Sequence, residues 1–239
     1  MNLLLVLKNK EEYINIINTY DTDITYDYEE TIDKINNKKY ICIIIDELSN
    51  INIRKLLNNY NNKQLIKNTI IVDDIKLSCY QLLDREYQVF SIINHNMINK
   101  DLIYYIEEII KKDKIYNEEK ASIYKDISNI LKRMGISPEK DGFHYLRKAI
   151  YECYINPNLL DNINNKLYPI LSKTFHININ SIIRSMNYAI EIGYGKSDYE
   201  YSEIIFSNTI DIDKGKPTNI SFISIIVDEL LLLHNITYY

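Results

Sequence analysis

All five glycines and all four prolines of this 239-residue chain lie between Gly135 and Pro217. The first 134 residues contain neither. That stretch must change direction without the left-handed freedom of glycine or the fixed φ of proline. The same shift in punctuation divides the chain into two units of different construction.

The first unit alternates short apolar runs with amphipathic stretches. Strands are expected at Asn2–Leu7, Asp23–Tyr26, Tyr40–Asp46, Asn68–Asp73 and Tyr87–Ile92. Helices are expected at Lys10–Asn18, Tyr28–Asn37, Ile51–Tyr60, Lys76–Leu83 and Lys100–Lys112. Alternation of this kind predicts a doubly wound α/β unit with a five-stranded parallel sheet, flavodoxin-like in form. The run Ile41-Cys42-Ile43-Ile44-Ile45 reads as a central strand buried on both faces, and Asp46 ends it. Functional groups of such sheets gather at the carboxyl ends of the strands.

The arrangement resembles a response-regulator receiver domain, with Asp46 at the phosphoacceptor position. The resemblance implies an acidic pair after the first strand to hold Mg²⁺, but Leu7 and Lys8 stand there. It implies Thr or Ser after the fourth strand, where this chain has Asp73, and a lysine after the fifth, which Tyr87–Asn99 lacks. Phosphoryl transfer to a carboxylate needs metal charge on the transferring oxygens. Asp46 is therefore expected to be an inactive phosphoacceptor that caps the end of its strand. Asp46, Asp73 and Asp74 form the one candidate acidic pocket for a cation, and no metal or cofactor is expected. His95 reads as a loop residue without partners.

Composition narrows the rest. Hydrophobic residues make up 46 % of the chain, enough for buried cores, yet no apolar run nears the ~20 residues of a membrane span. The apolar start, Met1 to Leu7, is short and has no basic residue before it, unlike a signal peptide. A soluble cytoplasmic protein is expected. Cys42, Cys79 and Cys153 are scattered, without the spacing of a metal site. The expected domain limits are 1–113 for the receiver-like unit, 114–120 for a polar linker and 121–239 for a helical unit.

In the helical unit, apolar residues recur at three- and four-residue spacing from Ile123 to Met134, and Gly135 suits a C-terminal cap. Asp141 is expected to cap the next helix, which turns Phe143, Leu146, Ala149, Ile150 and Cys153 inward. A short helix is expected at Leu159–Leu167. Pro169–Phe175, a turn at His176–Asn178 and Ile179–Tyr194 then form a candidate helix-turn-helix, with Asn178 as N-cap. In a major groove, the first half of the second helix meets base edges. Arg184 suits guanine and Asn187 suits adenine. Lys173, Asn180 and Ser181 suit phosphates, with Tyr188, Lys196 and Lys216 as further contacts. Residues 168–196 carry Glu191 against Lys173, Arg184 and Lys196, a local excess of positive charge. The net charge of −5 runs the other way. Gly193-Tyr194-Gly195-Lys196 lacks the spacing of a phosphate loop. No nucleophile–base pair marks an enzyme.

A series of segments in one register extends the pattern: Gly142 to Ile150, Leu167-Tyr168-Pro169, Lys173-Thr174-Phe175, Arg184, Ala189-Ile190-Glu191, Lys216-Pro217-Thr218-Asn219, Phe222-Ile223, Val227 to Leu230 and His234. Residues 128–234 resemble the DNA-binding effector domain of the stage-zero sporulation protein A family. The resemblance implies a six-helix domain that binds double-stranded DNA, a homodimer, and control of sporulation or stationary-phase genes. Family members commonly carry Arg where this chain has Ser181 and Asn187, and an acid where it has Ile183. Of the strongest readers Arg184 remains, so an altered operator preference is expected. The expected function is a phosphorylation-independent transcription regulator. The alternative is an antagonist or adaptor that pairs with a receiver-domain partner protein and does not itself read DNA.

Overall fold

The apolar runs of the first unit form five parallel strands in the computed structural model, which describes residues 2–49, 51–59, 63–73, 87–197, 199–206 and 216–236. They are β1 (Asn2–Val6), β2 (Asp21–Thr25), β3 (Cys42–Asp46), β4 (Thr69–Val72) and β5 (Ser91–Ile93), in the order β2-β1-β3-β4-β5. The order reverses between β1 and β3, the position at which such sheets open a crevice beyond the strand ends. Strand alternation sorts the core into two layers. Leu3, Leu5, Cys42 and Ile44 join one cluster, while Leu4, Val6, Ile43 and Ile45 join the other. Every residue of β3 is buried, as its unbroken apolar run requires.

The helices between the strands are α1 (Ile14–Thr19), α2 (Tyr28–Asn37), α3 (Ile53–Asn58) and α4 (Lys63–Lys67). Side-chain caps start two of them: Asp27 accepts from the Glu30 amide and Asn52 from the Lys55 amide. The structure shortens β5 relative to the expected Tyr87–Ile92, because Gln88 takes a left-handed φ of 53° that a strand cannot hold. The expected helix Lys76–Leu83 lies outside the described residues.

Helix α5 (Ile103–Arg133) runs for 31 residues. Residues 114–120, expected as a linker, are therefore helical. They are polar and largely exposed, as a linker would be, but hold no glycine or proline to interrupt the helix. The chain divides into two compact units, Met1–Asn117 and Glu118–Tyr239.

The second unit is helical among the described residues: the end of α5, α6 (Asp141–Ile155), α7 (Tyr168–Phe175), α8 (Ile179–Tyr194), α9 (Tyr199–Phe206) and α10 (Asn219–Leu233). Gly135 ends α5 with φ at 72°, and its amide donates to the Lys132 carbonyl. Lys140, not Asp141, is the N-cap of α6, and no side chain closes that cap. Asp141 instead lies in the first turn, where a carboxylate meets the positive end of the helix dipole. The segment expected as a helix at Leu159–Leu167 is a 3₁₀ turn (Pro157–Asn162) and a π-turn (Ile163–Leu167). One core cluster joins the helices, including Phe143, Leu146, Ile150, Leu171, Ile182, Met186, Phe206, Phe222 and Val227.

Candidate functional site

Helices α7 and α8 form the expected helix-turn-helix. Pro169 sits in the first turn of α7, where its missing amide costs no bond. His176 ends α7 in the left-handed region at φ 55°. The Ser172 hydroxyl donates to the Ile177 carbonyl across the turn at 2.7 Å. Asn178 then starts α8 by accepting from the Asn180 amide at 2.8 Å.

The back of α8 is buried through Ile182, Met186, Ala189, Ile190 and Gly193. Two glycines set how closely it seats. A Cβ on Gly142 of α6 would fall 2.6 Å from the Ala189 Cβ and closer still to the Ser185 carbonyl oxygen. A Cβ on Gly193 would strike the Ile136 side chain and come within 2.8 Å of the Met134 carbonyl oxygen. Backbone thus meets backbone on both sides of the helix, leaving its orientation little play.

The front of α8 is exposed: Asn180, Ser181, Arg184, Asn187, Tyr188, Glu191 and Ile192. Five expected contact residues therefore share one face of one helix. Arg184 and Asn187 lie one turn apart, and Ser181 to Tyr188 spans about 10 Å along the axis. Lys173 is exposed in the last turn of α7. Lys196 is exposed just beyond α8, about 18 Å along the axis from Arg184. Lys216 is drawn into an ion pair with Glu191 at 2.5 Å. Asn219, 5 % exposed, donates from Nδ2 to the Ile183 carbonyl of α8 at 3.3 Å. Sequence reasoning missed Gly142, Gly193 and Asn219 as supports of α8. Their signal was the appearance of glycines inside helical stretches and a buried-type amide at a helix start.

The Asp46 centre of the first unit is closed. Asp46 is 2 % exposed at the end of β3. Its Oδ2 accepts from the Tyr13 hydroxyl at 3.0 Å, and its Oδ1 accepts from the Leu48 amide at 2.8 Å. His95 Nε2 lies 3.1 Å from the same Oδ1. The expectation that His95 stands alone is thus corrected: it opens a 3₁₀ turn, His95–Met97, just after β5, at the same end of the parallel sheet as Asp46, and its ring reaches past β4 to the end of β3. Leu7 is buried and Lys8 exposed at the end of β1. Asp73 is 8 % exposed, and its amide donates to the Ile93 carbonyl. Asp74, the third member of the acidic group, lies outside the described residues. Among the described residues no three His, Cys, Asp or Glu side chains are grouped to hold a metal ion. No helix among them is long and apolar enough to cross a membrane.

Residues 127–230 match the family model of the sporulation initiation factor Spo0A C terminal. The match takes in α6 to α9 and most of α10, and so contains the whole helix-turn-helix. Among solved structures, the chain is similar to full-length FixJ from B. japonicum, with a TM-score of 0.41 and 11 % identity over 88 % of this chain and 98 % of FixJ.

Proposed function

We propose that this chain, which belongs through its helical unit to the Spo0A C-terminal family and is a transcription regulator of that type, reads DNA with the exposed front of α8 and needs no phosphate on Asp46 to do so. The observation that carries the reading is the exposed face Asn180, Ser181, Arg184, Asn187 and Tyr188 on a helix whose back is fixed by close backbone contacts. Arg184 donates to a guanine edge and Asn187 pairs with adenine. Lys173, Asn180 and Ser181 position the helix on phosphates, with Lys196 reaching the backbone beyond its far end. Tyr188 lies against the groove wall. The protein acts as a homodimer on paired half-sites.

Phosphate independence is supported by the closed carboxylate. Both Asp46 oxygens already accept hydrogen bonds, and at 2 % exposure the carboxylate offers an incoming phosphorus no open approach. The exposed Lys8 adds positive charge where a divalent cation would have to enter. In this reading the first unit is a docking or dimerisation module.

Selection of duplexes from a random pool by the full chain, without any phosphodonor, tests both halves. A recurring box, and an affinity for it that falls about ten- to a hundredfold in Arg184→Ala, is the expected result. Undiminished binding by Arg184→Ala refutes the groove assignment. Stoichiometric acyl-phosphate on Asp46 with Mg²⁺ and a small phosphodonor refutes phosphate independence. Two observations favour the adaptor reading: the net charge is −5, and Lys216 is held in an ion pair with Glu191. Absence of any duplex binding at low salt, with capture of a receiver-domain protein, would decide for it.

A further inference from the structure

The tetrapeptide Lys216-Pro217-Thr218-Asn219 meets α8 at two points. Asn219 is nearly buried and donates to the Ile183 carbonyl, in the middle of the exposed reading stretch. It also lies against the Tyr168 hydroxyl at the start of α7; burial raises that hydroxyl's pKa and the bond to Asn219 partly offsets the rise. Lys216 pairs with Glu191, eight residues further along α8. At 1.5 Å per residue the two points are about 12 Å apart, more than two helical turns. Thr218 fixes the span between them to α10, since its hydroxyl accepts from the Ser221 amide at 3.2 Å. Pro217 restricts the backbone between the two contacts. A rod held at one point can pivot, whereas a rod held at two points this far apart cannot.

We propose that Lys216 and Asn219 are positioning residues that clamp α8 at Glu191 and Ile183, and so set base discrimination rather than phosphate attraction. The inference rests on the DNA-reading role of α8. It reassigns Lys216, for which phosphate contact was the sequence-based expectation. A lysine on phosphate strengthens binding to every duplex and steepens its salt dependence. A lysine that orients the reading helix changes the ratio between the right duplex and a wrong one.

The test is a charge swap in the full chain. Affinities of the native protein, Lys216→Glu, Glu191→Lys, the double variant and Asn219→Ala are measured by fluorescence anisotropy for the selected box and for a scrambled duplex. The box-to-scrambled ratio should fall about threefold in each single charge variant, as befits an exposed ion pair. It should return to within about twofold of native in the swap, where the pair is restored with reversed sign. Asn219→Ala should lower the ratio about tenfold, through loss of a nearly buried bond. The proposal is overturned if Lys216→Glu weakens box and scrambled duplex alike, lowers the salt slope by about one, and is not rescued by Glu191→Lys. A native ratio in Asn219→Ala overturns the Asn219 half. If the native protein selects no duplex, the DNA-reading role fails by itself. Amide exchange across residues 183–192 then decides the clamp: faster exchange in the singles and recovery in the swap supports it, while native rates in the singles overturn it.

Discussion

Gly142→Ala adds one methyl group at the place where α6 crosses the back of α8. The new Cβ would stand 2.6 Å from the Ala189 Cβ and 3.0 Å from the Ser185 carbonyl carbon. Carbon atoms in contact sit at about 3.5–4.0 Å, so the helices must part by about 1 Å. No rotamer relieves this, because the obstacles are backbone and a methyl attached directly to it. Overpacking of this kind costs about 1–3 kcal/mol. Alanine returns at most ~1 kcal/mol of helix propensity, and less than that in the first turn, where Gly142 lies. A net loss of about 1–2 kcal/mol is expected. Hydrogen exchange read by mass spectrometry on peptides from α6 and α8 should show it as roughly five- to thirtyfold faster opening. Gly195→Ala is the control. Its Cβ would meet nothing nearer than 3.8 Å, and its backbone is already right-handed. That change should be neutral or stabilising by about 0.4–1 kcal/mol. Native exchange rates in α6 and α8 of Gly142→Ala would refute the claim that backbone contact seats α8.

Hydrogen bonds from Lys38 and then Tyr40, each at 2.6 Å, hold the Asp23 carboxyl below its ordinary pKa. That contribution is present above the unfolded carboxyl value of about 3.9 and is lost as pH falls through the lower folded value. Burial, and next the bond to Asp23, raises the Tyr40 hydroxyl above its ordinary value. Its contribution is present below about pH 10 and is lost as pH rises above it. Urea midpoints measured across pH should therefore fall less steeply at the acid end in Asp23→Asn and at the alkaline end in Tyr40→Phe; unchanged profiles would contradict the pairing. Burial pushes the Cys153 thiol up to about 12 and the Cys42 thiol higher still. Iodoacetamide at pH 8 should leave both unmodified in the native chain and label both in urea, as peptide mapping can check.

The sheet was legible because unbroken apolar runs such as Ile41 to Ile45 have few other uses. The limits of β5 were not, because Gln88 takes a positive φ without being glycine. Helix α4 was not anticipated: five residues are too short for a helical period to declare itself. The polarity of residues 114–120 suggested a linker, but polarity on its own reports exposure, not conformation. On the interface, Arg184 and Asn187, expected as base readers, face outward on α8, opposite the buried Ile182, Met186 and Ala189. What α8 leans on stayed hidden, since Gly142, Gly193 and Asn219 act through contacts distant in sequence. The same holds for His95, which meets Asp46 from 49 positions away in the sequence.

The seating of α8 on glycines has a consequence for how such a chain can diverge. The candidate readers Ser181, Arg184 and Asn187 take no part in the seat of α8, and the glycines that form the seat contact no duplex in the proposed pose. Drift at positions 181, 184 and 187 is thereby insulated from folding, while positions 142 and 193 tolerate almost none. A fold partitioned in this way can exchange its vocabulary and keep its grammar: new preferences for sequence arise without passing through unstable intermediates.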